Sequence, residues 1–157
     1  MSWTQKETTL LKDLKSYEAT SVTKYGEYAD RACDGELKNL FTSLKQTQQN
    51  HLDTLNRMLG ESGGCGGSDT CPIESSSQGF PANASSNNAS GSCDGSGDRF
   101  LCHDALSSEK YASSLYDVCL FEFSDQASRD TLHRIQGEEQ HNGKQLYDYM
   151  SAHNMMA

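Results

Sequence analysis

The sequence predicts an all-α protein in which four helices form two helical hairpins. Three observations lead to this class. Apolar residues recur at alternating steps of three and four in both halves of the chain, as on the buried face of a helix. A segment rich in Gly, Ser and Asn separates the two halves. The second half also repeats the first at a constant offset, so we expect a single domain over residues 1–157.

The first hairpin is expected over about residues 4–59. Thr4 and Glu7 have the spacing of a capping box, which marks the start of the first helix. Asp34 is placed to cap the second helix, and Gly60 to end it. The predicted inner face of the first helix includes an acidic residue among apolar, aromatic and small ones: Leu11, Leu14, Glu18, Ser21, Tyr25 and Tyr28.

Residues 60–99 form a linker of different composition. Helical periodicity is lost there, and the segment contains both prolines of the chain, Pro72 and Pro81. Such a polar segment cannot bury enough apolar area to offset its ordering entropy, so we expect it to be flexible. It also carries three of the six cysteines of the chain: Cys65, Cys71 and Cys93.

The second hairpin is expected over about residues 100–151, with its turn at Ser124 and Asp125. Its third helix repeats the three-four pattern of the first helix. The positions at an offset of 91 residues support a duplicated hairpin: Asp13, Ser16, Glu18, Tyr25, Asp34, Gln49 and Leu55 recur as Asp104, Ser107, Glu109, Tyr116, Asp125, Gln140 and Leu146.

The linker length bears on the topology of the bundle. A helix of about 25 residues is about 38 Å long, and a linker of about 40 residues can span that distance. The second and third helices would then be parallel, which is the one-crossover topology of ferritin-like bundles. So long a linker also permits antiparallel neighbours, so both arrangements remain open at this stage.

Composition excludes several classes of function. The net charge is -9 and the pI is about 4.9, which disfavours binding to nucleic acid or to anionic lipid. No apolar run reaches the length of a membrane span, and the first residues lack the pattern of a signal peptide. We therefore expect a chain synthesised as a soluble cytosolic protein. No two cysteines form a Cys-x-x-Cys pair, so a zinc ribbon is not supported.

Carboxylates and histidines recur at the spacing of a di-metal site. Di-iron and di-manganese bundles place one Glu on each of two helices and a Glu-x-x-His on each of the other two. The spacing works because residues three apart share a helical face. The candidate ligands in this chain are Glu18, His51, Glu109, Glu138 and His141.

The positions of these residues relative to the hairpin turns weaken that match. In the first hairpin, Glu18 and Gln48 lie at the same distance from the turn, on opposite sides of it. In the second hairpin, the residue equivalent to Gln48 is Glu139 instead of Glu138. The residue three positions after Glu139 is Asn142, so neither half keeps an intact Glu-x-x-His. Neutral amides are poor substitutes for the carboxylates that hard divalent metals require.

A structural hypothesis competes with the metal hypotheses and is favoured. In it, Glu18 and Glu109 are buried polar residues with hydrogen-bond partners across the bundle, because buried carboxyl groups need such partners. The candidate partners are Tyr25, Tyr116, Gln48 and His51. A di-iron or di-manganese site and a single ion at His51 or His141 remain the alternatives.

Four segments of the second half resemble the Coat F family of bacterial spore coat proteins. These segments are Leu106-Ser107-Ser108-Glu109-Lys110-Tyr111, Phe121-Glu122-Phe123-Ser124-Asp125, Ile135-Gln136-Gly137-Glu138-Glu139-Gln140-His141 and Tyr147-Asp148-Tyr149-Met150. The resemblance covers essentially residues 101–156, and the first hairpin is similar to the family more loosely. It implies membership of the ferritin-like superfamily, whose rubrerythrins and manganese catalases carry the di-metal motif.

The resemblance implies a structural protein of the spore coat or outer spore surface. Members of the family are taken as structural, so no catalytic residue is carried over and no cofactor is expected. We expect the chain to pack into the coat as a homo-oligomer or with other coat proteins. The alternative is a ferritin-like di-iron or di-manganese oxidase, peroxidase or catalase, and the question of enzymatic activity stays open with a structural role preferred.

The cysteines suggest how such a protein could be fixed in place. Cys65, Cys71 and Cys93 are candidates for disulfide cross-links between chains once the mother cell has lysed, because disulfides form in oxidising surroundings. Disulfides within the linker and unpaired thiols are the alternatives. Cys119 lies in the apolar stripe of the third helix and is expected to be an inert core residue.

Overall fold

Four long helices make up the described part of this computed structural model, which comprises residues 3–60 and 95–156. They are α1 (Gln5–Arg31), α2 (Gly35–Met58), α3 (Ser96–Glu122) and α4 (Gln126–Ala152). Helix α1 packs along α2, and α3 packs along α4, so the predicted pair of helical hairpins is confirmed. None of the four described helices has an apolar stretch sufficient to span a lipid bilayer.

The helix ends follow the predicted capping residues. Thr4 accepts a hydrogen bond from the backbone N–H of Glu7, while the Glu7 carboxylate accepts from the backbone N–H of Thr4. Asp34 and Asp125 cap α2 and α4 in the same way with their side chains. Gly60 has a positive φ of 75°, as a glycine that ends a helix often does. These caps satisfy backbone donors that a helix end otherwise leaves unpaired.

The start of α3 differs from the predicted boundary. The helix begins at Ser96, about one turn before the predicted start near residue 100. Its first turn contains Asp98, which is buried and therefore belongs to the packed bundle. Gly and Ser residues around this position are typical of a loop, so the sequence did not predict a helix there. The contacts of Asp98 with the other hairpin stabilise this first turn, and they cannot be predicted from local sequence.

Contacts between the hairpins establish the chain direction of each helix. Trp3, at the start of α1, packs against Phe123 at the end of α3, and Tyr28, near the end of α1, contacts Asp104 near the start of α3. Helices α1 and α3 are therefore antiparallel. Because α1 and α2 are also antiparallel, α2 and α3 run parallel. This is the one-crossover topology, one of the two arrangements that the linker length left open.

Each hairpin also caps the turn of the other. The Asp98 carboxylate accepts hydrogen bonds from the backbone N–H groups of Cys33 and Asp34, at 2.8 and 2.9 Å. Glu7 occupies the equivalent position in the first hairpin, and its Oε1 accepts from the backbone N–H of Ser124 at 3.2 Å. This reciprocal pair of contacts was not predicted from the sequence. The equivalence of Glu7 and Asp98 is visible in the sequence, because the two residues are 91 positions apart, which is the offset of the repeat.

Replacement of Asp98 by alanine should destabilise the bundle. The change removes a buried acceptor from two backbone N–H groups in the turn of the other hairpin, and hydrogen bonds to charged groups contribute about 1.5–3 kcal/mol each. We expect a loss of about 2 kcal/mol or more in the free energy of unfolding, measured by urea denaturation. Asp30→Ala, on the exposed side of α1, is the control and should change it little. Equal stability of the two variants would contradict this role.

Candidate functional site: a buried polar layer

A polar layer separates two apolar clusters in the interior of the bundle. One cluster lies toward the α1–α2 turn and comprises Tyr25, Tyr28, Ala32, Leu37, Phe41, Leu44, Leu101, Cys102, Ala105, Leu146, Tyr149 and Met150. The other lies toward the α3–α4 turn and comprises Leu11, Leu14, Leu55, Tyr116, Cys119, Phe123, Leu132 and Ile135. Between them lie six buried polar side chains, contributed by all four helices: Glu18, Gln48, His51, Glu109, Glu139 and Asn142.

The residues of α4 that face the interior are those predicted by counting positions from the hairpin turn. Glu139 and Asn142 are buried, which confirms that register. Glu138 is half-buried at the edge of the layer. The His141 side chain is exposed and does not join the layer. The structure therefore brings together three of the five candidate ligands, with Glu138 beside them and His141 apart.

His51 is held by a carboxylate on each ring nitrogen. Its Nδ1 lies 3.0 Å from Glu139 Oε1, and its Nε2 lies 2.7 Å from Glu138 Oε2. Burial alone lowers the pKa of His51, but the hydrogen bond to Glu139 and the Glu18 carboxylate, whose Oε2 lies 3.8 Å from Nδ1, outweigh it and raise the pKa to about 10. His51 is therefore an imidazolium at neutral pH, and both of its N–H groups donate.

Glu139 is the carboxylate that balances this cation. Besides His51, it accepts from Gln48 Nε2 at 2.8 Å and from Asn142 Nδ2 at 3.4 Å. Burial raises the pKa of Glu139, but hydrogen bonds from His51 and from Glu109 lower it below its usual value. Glu139 is therefore ionised although its side chain is fully buried.

Glu109 is a neutral acid in this layer. Burial, a hydrogen bond with Glu139 and the charge of Glu139 raise the pKa of Glu109 to about 10. As an ionised group, its Oε2 would have no hydrogen-bond partner among the described residues. When Oε2 is protonated, it donates to the Glu139 carboxylate. The proton thus removes both a buried charge and an unpaired buried atom.

Two tyrosines join the hairpins by reciprocal hydrogen bonds. The Tyr25 hydroxyl on α1 donates to Glu109 on α3, and the Tyr116 hydroxyl on α3 donates to Glu18 on α1. These bonds confirm the hypothesis that both glutamates have tyrosine partners across the bundle. Burial is the main cause of the raised pKa of Glu18, which is about 7. Glu18 therefore changes charge near neutral pH.

Arg134 is a part of the site that the sequence analysis did not single out. Its Nη1 donates to Glu138 Oε1 at 2.5 Å, while the other oxygen of Glu138 faces His51. Glu138 therefore links a buried cation to an exposed one, and the pKa of Glu138 is lowered although burial opposes this. This ion pair could have been predicted from the sequence, because Arg134 and Glu138 are four residues apart on one helix.

A cleft between α3 and α4 lies beside the layer. It has a volume of about 340 Å³ and is lined by Leu106, Glu109, Lys110, Ser113, Glu139, Gln140 and Gly143. Glu109 and Glu139, two residues of the polar layer, are among these lining residues, although their side chains are buried.

The donor atoms in the layer suit one cation better than two. Ligand atoms of Glu18, His51 and Glu139 lie within 4.8 Å of one another. Oε2 of Glu18 has no hydrogen-bond partner among the described residues. Gln48 and Asn142 are neutral amides at positions where a di-metal centre needs carboxylate and imidazole ligands. The residues present therefore do not fit a di-iron or di-manganese pair.

Comparison with known families supports one assignment. Residues 97–157 match the Coat F domain. The match covers nearly all of α3 and the whole of α4, which is less than half of the chain. Within the layer, the matched region contributes Glu109, Glu139 and Asn142, while α1 and α2 contribute the remaining polar residues. None of the curated proteins compared with the chain matches it.

Only some of the cysteines fall within the described residues. Cys119 is buried in the cluster toward the α3–α4 turn, which confirms its predicted place in the core. Cys102 is buried in the other cluster, and burial raises the pKa of both thiols. The three candidates for cross-linking, Cys65, Cys71 and Cys93, lie outside the described residues, so that role stays a prediction.

Proposed function

We propose that this chain is a structural protein of the bacterial spore coat, in which the helical bundle serves as a packing unit. The observation that carries the proposal is the match of residues 97–157 to the Coat F domain. The closed polar layer agrees with it. Its cation is paired with two carboxylates, and both tyrosines donate to glutamates. Such a layer stabilises one arrangement of the helices and needs no substrate.

The polar layer can specify how the two hairpins fit together. A hairpin that slides along the other by one turn would leave Glu139, Glu109 and Glu18 buried without their partners. Buried charges and unpaired polar atoms cost several kcal/mol, so such misaligned states are disfavoured. This supports a bundle whose function depends on a fixed shape, as a packing unit requires.

The test of this proposal is the location of the chain in spores. A fluorescent fusion should form a ring around the forespore during sporulation, and the untagged chain should be found in the coat fraction of purified spores. Extraction with and without reductant then tests the cross-linking by Cys65, Cys71 and Cys93, because disulfide-linked chains collapse from high-mass species to monomers. A chain confined to the mother-cell cytosol would refute the coat assignment.

We propose as a second candidate that the layer binds one divalent cation. The convergence of Glu18, His51 and Glu139 favours it, together with Glu18 Oε2, which has no hydrogen-bond partner among the described residues. Binding would require the His51 imidazolium to lose a proton and release its carboxylate partners. A ferritin-like oxidase, peroxidase or catalase would need a second ion, and the neutral amides Gln48 and Asn142 stand where a di-metal centre has a carboxylate and an imidazole.

Metal analysis distinguishes this candidate from the structural one. The purified chain is loaded with Fe²⁺ or Mn²⁺, dialysed, and its metal content measured. At least about one ion per chain, lost in His51→Leu but kept in His141→Leu, would support cation binding. His141→Leu is the matched control because that side chain is exposed. Less than about one ion per chain after loading would exclude this function and leave the coat proposal unaffected.

A further inference from the structure

Cys33 lies in the α1–α2 turn, beside the first turn of α3. Its backbone N–H donates to Asp98 Oδ1 at 2.8 Å, and Asp98 comes three residues after Gly95, the N-cap of α3. Cys33 and Gly95 also line the same surface hollow. The turn of the first hairpin and the entry to α3 are therefore neighbours in space, although α2 and the linker separate them in sequence.

Cys33 differs from the other cysteines that the structure describes. Cys102 and Cys119 are free thiols, and Cys33 is not. Cys102 and Cys119 are also buried in the two apolar clusters, whereas Cys33 is exposed. A sulfur partner for Cys33 is therefore to be sought outside the described residues, where the remaining cysteines of the chain lie. These are Cys65, Cys71 and Cys93.

The length of the chain excludes Cys65 as this partner. Cys65 follows Gly60 by five residues, and five residues span at most about 18 Å. Gly60 lies at the far end of α2 from Cys33, and the 24 residues of α2 are about 36 Å long. A disulfide requires its two Cα atoms to lie within about 7 Å of each other. Cys65 therefore cannot reach Cys33.

The same reasoning favours Cys93 over Cys71. Cys71 follows Gly60 by eleven residues, which span at most about 40 Å, so it meets Cys33 only if this segment runs fully extended along α2. Cys93 precedes Gly95 by two residues and lies within about 7 Å of it in any backbone conformation. Because Gly95 lies beside Cys33, Cys93 can reach Cys33 whatever path the rest of the linker takes.

We propose that Cys33 and Cys93 form a disulfide within one chain, which fastens the entry of α3 to the turn of the first hairpin. The inference goes beyond the proposed function, because it concerns how a chain holds its own hairpins together. The disulfide reinforces the contacts of Asp98 at the same end of the bundle. It closes a loop that contains α2 and the linker, and so long a loop restricts the unfolded chain strongly. It also leaves only Cys65 and Cys71 as candidates for cross-links between chains.

The oxidant for this step is a low-molecular-weight disulfide. The Cys33 thiolate attacks one sulfur of the oxidant and displaces the other as a thiolate, which gives a mixed disulfide. The Cys93 thiolate then attacks the Cys33 sulfur and displaces the second small thiolate. The chain loses two hydrogens, and the oxidant is reduced to two small thiols. The exposure of Cys33 gives the oxidant access to its sulfur.

Peptide mapping of the purified full chain detects the link. The chain is oxidised with glutathione disulfide, its free thiols are alkylated, and it is digested without reductant by trypsin and a glutamate-specific protease. Cleavage after Glu74 separates Cys93 from the other two linker cysteines, so a link to Cys93 has its own mass. We expect a peptide pair that joins Cys33 to Cys93 and disappears on reduction, from a chain that is monomeric on a non-reducing gel. An alkylated Cys33, or Cys33 joined to any other cysteine or to a second chain, would overturn the proposal.

The stability of the oxidised chain provides a second measurement. Cys93→Ser should lower its urea midpoint by about 1 M or more, because the cross-link no longer restricts the unfolded chain. With reductant present, the variant and the wild type should have the same midpoint, which shows that the substitution itself does no damage. Cys71→Ser is the matched control, since it changes another linker cysteine and should keep the wild-type midpoint after oxidation. Equal midpoints for oxidised wild type and oxidised Cys93→Ser would count against the disulfide.

Discussion

Replacement of His51 by leucine is expected to destabilise the bundle by about 3–5 kcal/mol at pH 7, which is a large part of the stability of a small domain. The imidazolium donates to Glu139 at 3.0 Å and to Glu138 at 2.7 Å. Without it, the fully buried Glu139 carboxylate keeps the amides of Gln48 and Asn142 and the hydrogen bond from Glu109. These donors are uncharged and do not neutralise a buried charge, so the native state loses more than one hydrogen bond. Urea denaturation followed by circular dichroism measures the change.

Two further variants show whether the lost charge pair is the cause. His141→Leu makes the same chemical change at an exposed position of α4 and should alter stability little. His51→Leu combined with Glu139→Gln removes both charges while keeping an acceptor for the Gln48 amide. This double variant should recover more than half of the loss, because both buried charges are then absent. A double variant no more stable than His51→Leu alone would rule out the pairing.

Replacement of Glu109 by glutamine is expected to stabilise the protein at alkaline pH. The raised pKa of Glu109 means that the native state holds a proton that the unfolded chain releases above its usual pKa of 4.5. Glutamine has the shape of the protonated acid, can accept from Tyr25 and can donate to Glu139, yet it needs no proton. The variant should therefore match the wild type near pH 4.5. At pH 8 it should be more stable, by on the order of 5 kcal/mol.

The direction of this pH dependence follows from the sign of the pKa shift. A group whose pKa is higher in the native state stabilises the fold fully below its unfolded pKa, and this contribution is lost as the pH rises toward the native pKa. Glu109 loses it between about 4.5 and 10, and His51 between about 6.5 and 10. Glu139 acts oppositely, because its lowered pKa gives stability that is lost below 4.5. Stability should therefore be greatest in mildly acidic solution.

A matched glutamate makes the Glu109 experiment specific. Glu27→Gln changes the same functional group on the exposed side of α1, so its effect should be small and nearly independent of pH. If Glu109→Gln lowers stability at both pH 4.5 and pH 8, then Glu109 is ionised in the native state and the assigned proton is wrong. A constant gain at both pH values would also contradict a titrating proton at this site.

The fold could be predicted because its determinants are local or periodic. Thr4, Asp34 and Gly60 mark helix ends through their own side-chain or backbone chemistry. The three-four pattern identifies the buried faces, and the repeat offset relates the two hairpins. The inward position of Glu139 also followed from sequence, because residues at equal distances from a hairpin turn lie level in a pair of helices.

The chemistry of the polar layer could not be predicted to the same depth. The choice of Glu109 as the neutral acid depends on its position beside Glu139, and the choice of His51 as the cation depends on two carboxylates from another helix. These are contacts across the bundle, and small shifts in helix rotation would change them. Spacing alone therefore placed Glu138 and His141 among the ligands, although the helix turns the His141 side chain to the surface.

The hydrogen bond between Gln48 and Glu139 has a consequence for how this bundle could arise. The two residues occupy equivalent positions of the repeated hairpins, so they meet on the internal pseudo-twofold axis. In a dimer of two identical hairpins, both positions would carry the same residue, and two glutamates there would repel each other. Joining the hairpins in one polypeptide removes that restriction. An amide and a carboxylate can then face each other, and His51 can differ from Asn142, so covalent fusion is what permits a balanced, asymmetric interior.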